Sequence, residues 1–258
     1  MSAVARIPLA ILFAVLLTWH AFSDVKFNLT VDQLSNQTGA IQLGENGQYI
    51  GSGFVFGPQH DVVTCWHVKN GAEGVLHQTN LVFCLPETNS YRLKLKYMLP
   101  KYDLAVFTSS PGIKTASCKS GDFKKLRPGD IICYVGYDAK VSTLYEWRSI
   151  VHGAQIAAVG CALNDGVVVD FLEFVGQGLP GYSGGAVFNA DGEVVAVMRE
   201  AWTKKGVTGG PEMLINRAFS VEILSVLNEQ LLRDAPAGAA STNGVQIGVV
   251  EILSLTNK

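Results

Sequence analysis

What the sequence lacks narrows it first. Charged residues are only 16% of the 258, and the formal net charge is −2. With no basic stripe there is no electrostatic footprint for nucleic acid, and with no Lys/Arg run none for an acidic membrane surface. No two of the five cysteines, Cys65, Cys84, Cys118, Cys133 and Cys161, stand as C-x-x-C. That removes the usual zinc and thioredoxin-type spacings, and neither a metal nor a cofactor is expected. The odd number leaves at least one free thiol in a monomer, and the cysteines within apolar runs read as buried small hydrophobes. Long apolar runs are missing as well. The stretch from Ile7 to Trp19 is too short to span a bilayer comfortably, which takes ~20 residues. Helical periodicity is nearly absent, which argues against alternating βα units.

What is present begins with a targeting pattern. Arg6, the apolar run and the small residues Ala21 and Ser23 predict a secretory signal peptide cut after Ser23; the rival is an uncleaved anchor. Beyond it the periodicity is mostly two. "GAIQLG", "YIGSGFVFG", "DVVTCWHV", "NLVFCL", "RLKLKYML" and "DLAVFTS" read as short strands broken by Gly, Pro, Asn and Asp. A looser, proline- and serine-bearing stretch over 109–130 reads as a connector. A second series follows: "IICYVGY", "SIVHGAQIAAVG", "GVVVDFLEFVG", "GGAVFN", "EVVAVMREA" and "EMLIN". The 27 glycines suit many short strands joined by turns, and "NADG" at 189–192 suits a hairpin.

Two runs of about six strands predict an all-β chain of two small barrels or sandwiches. The division is a signal at 1–23, a first barrel over 24–112, a connector and second barrel over 113–217, and a helix over 218–234. That helix has Ile223, Val226, Leu227 and Leu231 on one face and Ser220 as its N-cap. A linker and a tail strand, "VQIGVVEILSL", fill 235–258. A free apolar strand of that length is an aggregation hazard, so the tail is expected to pack on the body or to meet a partner by strand addition.

The chemistry-bearing stretch is "GQGLPGYSGGAVF", residues 176–188. Alone, a G-x-S-G-G string reads as a turn. A serine nucleophile needs a neutral imidazole to take its proton and usually a carboxylate to fix the tautomer. His67, at the end of "DVVTCWHV", has the most distinctive frame of the five histidines. Among several acids between it and Ser183, Asp103 opens the apolar strand of "KYDLAVF", where an unpartnered carboxylate is costly. By itself Asp103 also fits a strand-initiating turn.

Taken together, "SGFVF…TCWHV", "YDLAVF" and "GYSGGAVFNADGEVVAV" occur in the order His, Asp, Ser. This resembles the trypsin-like serine proteases, most closely the HtrA/Do-like branch, over most of residues 39–228. The resemblance implies two six-stranded antiparallel barrels with the site in the cleft between them, followed by a C-terminal helix. It implies catalytic His67, Asp103 and Ser183, and an oxyanion hole made by the N–H groups of Gly181 and Ser183. Val68 stands where secreted animal members carry a cysteine, which argues against a disulfide-stapled enzyme. The length after the helix leaves no room for the PDZ domain usual in HtrA proteins, so the expectation is the protease module alone. The pocket before the scissile bond is expected to involve Gln177, Met198 and Arg199, and to take a small or medium apolar residue. Tyr182 stands where zymogen-activated members place an acid, so a freed N-terminus is not expected to order the loop.

The resulting expectation is a secreted or periplasmic serine endopeptidase acting on protein or peptide substrates. No nucleic-acid partner is expected, and no membrane contact after signal cleavage. A viral-type polyprotein-processing protease and an inactive trypsin-fold binding protein are the alternatives. The sequence leaves the oligomeric state open.

Overall fold

The computed structural model describes residues 29–45, 47–69, 80–86, 90–138, 149–204 and 213–224. The signal segment, the tail and most of the expected helix lie outside them. Among the described residues a short helix, α1 (Val31–Asn36), comes first. Thr30 and Gln33 close it with a reciprocal capping box, Thr30 N–H to Gln33 Oε1 at 2.8 Å and Gln33 N–H to Thr30 Oγ1 at 3.2 Å. The T-x-x-Q spacing is the local signal for it, although six residues are too few to show a helical period. Leu34 is its one buried residue.

Among the described residues twelve strands follow, and both expected six-stranded antiparallel barrels are present. β1 (Thr38–Leu43), β2 (Tyr49–Phe56), β3 (Asp61–Cys65), β4 (Leu81–Cys84), β5 (Ser90–Leu99) and β6 (Leu104–Ser110) close in the order β1-β2-β3-β6-β5-β4. β7 (Ile131–Tyr137), β8 (Ser149–Asn164), β9 (Val167–Val175), β10 (Ala186–Phe188), β11 (Val194–Lys204) and β12 (Met213–Ser220) close in the order β10-β11-β12-β9-β8-β7. Closure removes the unpaired edges that an open sheet would present. β1 and β3 are buried along their whole length, whereas β5 has several exposed positions, as in a sheet with one wet face. Between the barrels, residues 111–130 hold only the 3₁₀ turn Phe123–Lys125 and isolated bridges from Cys118 and Ser120.

The barrels share their interior. One apolar cluster runs from Phe54, Val63 and Phe83 of the first to Val135, Phe188 and Val197 of the second. A smaller one joins Ala40 and Tyr49 to Tyr137. Polar stitches reinforce the seam: Tyr49 Oη donates to the Tyr137 carbonyl at 2.8 Å, and Tyr137 Oη to the Thr38 carbonyl at 3.2 Å.

Three expectations need correction. His67 does not end a strand. β3 stops at Cys65 and residues 66–69 are helical, because the Trp66 N–H turns to the Asp103 carbonyl at 3.0 Å. The helix expected from 218 starts later: β12 pairs Ala218 and Ser220 to β11, and helical residues begin at 222. Ser220 does accept the Glu222 N–H at 3.2 Å. Finally, of the cysteines in apolar runs Cys84 is less buried than expected. Cys65, Cys118 and Cys133 are buried, Cys84 is half-buried and Cys161 is exposed, and all five are free.

Candidate active site

The imidazole and carboxylate meet on the first barrel. Asp103 follows the 3₁₀ turn Pro100–Tyr102 in a left-handed conformation, φ +53°. Asp is one of the few residues that visits this region readily. The bend points the carboxylate inward, and the residue is only 4% exposed. Its Oδ2 accepts from His67 Nδ1 at 2.8 Å and its Oδ1 accepts the His67 main-chain N–H at 3.0 Å. Both side chain and backbone of His67 are thereby fixed. With Nδ1 donating, Nε2 is left as the basic nitrogen.

The serine loop belongs to the second barrel but is held by the first. Tyr182 N–H closes a turn onto the Leu179 carbonyl at 3.1 Å. Pro180 occupies its second position and Gly181, at φ +103°, its third, a type II pattern that favours glycine there. Ser52 of β2 then grips the loop twice. Its N–H donates to the Ser183 carbonyl at 2.8 Å and its Oγ donates to the Gly181 carbonyl at 2.7 Å. Tyr49 Oη reaches that same carbonyl at 3.1 Å. Gly184 passes so close behind that a Cβ there would lie 2.1 Å from both the Ser52 carbonyl and Thr64 Oγ1. Among the described residues, the N–H groups of Gly181 and Ser183 donate to nothing. The Ser183 hydroxyl donates to the Arg199 carbonyl at 3.1 Å, and no hydrogen bond joins it to His67.

The neutral residue before the serine has its own anchor. The Tyr182 ring is buried, lies over Gly136, and sends its hydroxyl to His152 Nε2 at 3.1 Å. Tyr134 stacks on His152 with centroids 5.1 Å apart and donates to the Gln177 carbonyl at 3.1 Å. Burial pushes the Tyr182 phenol well above its ordinary range and lowers the His152 imidazole below its own. Both are therefore neutral at pH 7, and the loop is held by aromatic packing and hydrogen bonds instead of a buried ion pair.

The structure places the residues expected to line the specificity pocket as follows. Met198 is 2% exposed, within the second barrel's core. Its carbonyl accepts from Cys65 Sγ at 3.1 Å and the Gly184 N–H at 2.8 Å. Arg199 turns its guanidinium to Asp103, with Nε 3.1 Å from Oδ2. Gln177 is tied to β7, its carbonyl accepting from Tyr134 Oη at 3.1 Å. Ligand atoms of Cys65, His67 and Asp103 lie within 4.8 Å of one another. Burial first, then the Asp103 charge, pushes the Cys65 thiol up. With that thiol neutral and Arg199 already supplying a cation, the cluster fits a hydrogen-bonded set better than a metal centre.

Sequence reasoning missed Ser52, Tyr49, Tyr134 and His152. Only the "GSG" around Ser52 hinted at a close backbone approach, since a Cβ on Gly51 would meet the Ser183 carbonyl at 3.1 Å.

Two closed barrels, with His67 and Asp103 on the first and a glycine-framed serine loop on the second, define the double-barrel class of β proteins. More particularly, the chain belongs to the trypsin-like peptidase domain family, whose model matches residues 51–197, more than half its length. It is 29% identical over 178 residues to a Marinomonas sp. (strain MWYL1) protein named "Probable periplasmic serine endoprotease DegP-like". It is 26% identical over 204 residues to a protein of that name from Halomonas elongata. These matches cover 69% and 79% of the chain but 35% and 39% of the relatives, so the chain spans little more than a third of their length. Among solved structures, the HtrA-type protease AlgW with tripeptide superposes with a TM-score of 0.60 at 20% identity. AlgW with decapeptide gives 0.61 at 16%. Each covers 79% of this chain, and 62% and 66% respectively of the AlgW chains.

Proposed function

We propose that the chain is a serine endopeptidase of the HtrA type, cutting protein or peptide substrates through an acyl-enzyme, with Ser183 as nucleophile, His67 as general base and acid, and Asp103 as its orienting carboxylate. The observation that carries this is the two-point hold of Asp103 on His67, at Nδ1 and at the main-chain N–H, beside a serine loop with two free N–H donors. His67 Nε2 takes the hydroxyl proton as Ser183 Oγ bonds to the scissile carbonyl carbon. The carbonyl oxygen gains the charge and is met by the N–H groups of Gly181 and Ser183, donors worth about 10²–10³ in turnover each. His67 then returns the proton to the departing amine, and water repeats the sequence to free the acid. The resting Ser183–Arg199 hydrogen bond is compatible with this, because catalytic hydrogen bonds often form only with substrate bound.

A peptide substrate is supported by the AlgW structures, whose descriptions name bound tripeptide and decapeptide. A periplasmic or secreted location is supported by the names of the DegP-like relatives and by the N-terminal pattern. The test is cleavage of an unfolded protein substrate by the full chain against Ser183→Ala and Asp103→Asn. The proposal expects no turnover above background for the first and a loss of about 10⁴ for the second, whose imidazole would sit in the wrong tautomer. Asp103→Asn within tenfold of the unsubstituted chain would mean another acid serves His67.

A further inference from the structure

The carboxylate of the proposed triad has a partner that the mechanism above does not use. Asp103 Oδ2 receives both His67 Nδ1 at 2.8 Å and Arg199 Nε at 3.1 Å. The Asp103 side chain is 5% exposed and that of Arg199 27%, so this pair is largely withdrawn from water. A bulge delivers it. The β11–β12 register slips between Met198 and Glu200, leaving Arg199 as the extra residue, and bulges commonly re-aim a side chain next to active sites. Its guanidinium lies over the Phe219 ring at 4.4 Å and 3.5 Å from Glu200 Oε1. Its carbonyl meanwhile accepts the Ser183 hydroxyl.

We propose that Arg199 is a positioning residue that sets the working pH of the His67–Asp103 couple: its fixed charge, shared on the same carboxylate oxygen, opposes protonation of the imidazole and keeps the base available in mildly acidic solution. This rests on the endopeptidase reading above. The other ionisable groups around the couple do not cancel the effect. Cys65 on β3 stays a neutral thiol, and the phenol of Tyr102, just before Asp103, is raised by burial and stays neutral. Glu200 on β11 divides itself between Arg199 at 3.5 Å and Arg217 at 3.4 Å, and Arg217 is committed to Glu173 at 2.6 Å. Among the described residues, Arg199 is the cation that meets the carboxylate directly, Nε to Oδ2 at 3.1 Å. A hydrogen bond to Oδ2 could come from any donor; a full charge could not. Arg199→Gln keeps a donor without the charge, and Arg199→Lys keeps the charge.

The test follows the His67 ring by NMR in histidine-labelled full chain as pH is varied, with His67→Gln assigning its signal, and records kcat/KM profiles in parallel. The His67 titration midpoint is expected to rise by about one pH unit in Arg199→Gln, the lower end of what a nearby charge does. It should stay close to the unsubstituted value in Arg199→Lys. The acidic limb of kcat/KM should move with it. A midpoint in Arg199→Gln within roughly 0.3 unit of the unsubstituted chain overturns the proposal, since that is a small fraction of the charge effect. Should Arg199→Gln not fold, Glu200→Gln decides: removing the carboxylate that shares Arg199 lowers the midpoint, and a rise contradicts the proposal. If no form of the chain cleaves peptide, the endopeptidase reading falls while the NMR midpoint still judges Arg199.

Discussion

Gly136→Ala tests how the serine loop is held without touching any residue proposed for chemistry. A Cβ at Gly136 would sit 2.7 Å from Tyr182 Cγ and 3.0 and 3.1 Å from its two Cδ atoms. Carbon atoms in contact rest at about 3.5–4.0 Å, so the ring must retreat by nearly an ångström. It has little room to do so. Tyr182 is 2% exposed, is packed with Tyr134 and is tied to His152 through its hydroxyl. Overpacking of this kind costs about 1–3 kcal/mol. Because Tyr182 lies between Gly181 and Ser183, the displacement falls on the two proposed oxyanion donors. Misplacing one of them is worth about 10²–10³ in turnover. Gly153→Ala is the control, since nothing lies within 4 Å of its would-be Cβ. The assay is the rate of covalent labelling by a fluorophosphonate, beside a thermal melt. Labelling should slow by at least about 10² in Gly136→Ala, with a melt lowered by a few degrees, and Gly153→Ala should match the unsubstituted chain. Unchanged labelling in Gly136→Ala would refute the idea that Tyr182 packing sets the loop.

Gly184→Ala should be more severe, because its Cβ would meet main chain and a buried hydroxyl at a φ of +86°; loss of labelling together with a collapsed melt is expected, and a labelled, stable variant would contradict the proposed seam. His152 is neutral and lowered in the fold, so the unfolded chain, with a midpoint near 6.5, takes up the proton first. Stability tied to it is full above that pH and lost as pH falls through the folded value, and His152→Phe should flatten the decline in unfolding free energy between pH 7 and 5. Burial raises the Cys84 and Cys133 thiols to about 11. Their contribution is full below the unfolded value, about 8.5, and lost as pH rises through the folded one, so a Cys84→Ala, Cys133→Ala chain should lose less stability than the parent between pH 8 and 10 in denaturant melts.

The strands were legible because their apolar residues repeat at period two and their breaks carry Gly, Pro, Asn or Asp. "NADG" shows why local signals succeed. Asn189 Oδ1 accepts the Asp191 and Glu193 N–H groups, and Gly192 takes φ +77°, all within five residues. The frames around His67, Asp103 and Ser183 were legible through family resemblance more than through chemistry, since each frame alone also reads as a turn or a strand end. What stayed hidden depends on distance along the chain. Ser52 and Gly181 are 129 residues apart, Arg199 and Asp103 are 96 apart, and Tyr182 and His152 are 30 apart. No periodicity in one segment announces such a partner. Arg199 was read as a pocket residue because its position follows Met198, but the bulge at that point sends the side chain to Asp103. The helical residues at 66–69 were read as strand because "CWHV" continues the apolar run; the hydrogen bond from Trp66 to the Asp103 main chain overrides that pattern.

The central claim is that Ser183 is a nucleophile activated by His67. Mass spectrometry of the full chain after treatment with a fluorophosphonate tests it without any guess about substrate. The account predicts one phosphonyl adduct, located on the peptide containing Ser183, formed faster as pH rises from 5 to 8, absent in Ser183→Ala and slowed by orders of magnitude in His67→Ala. An adduct on another residue, or labelling of Ser183 that His67→Ala leaves unchanged, would contradict it.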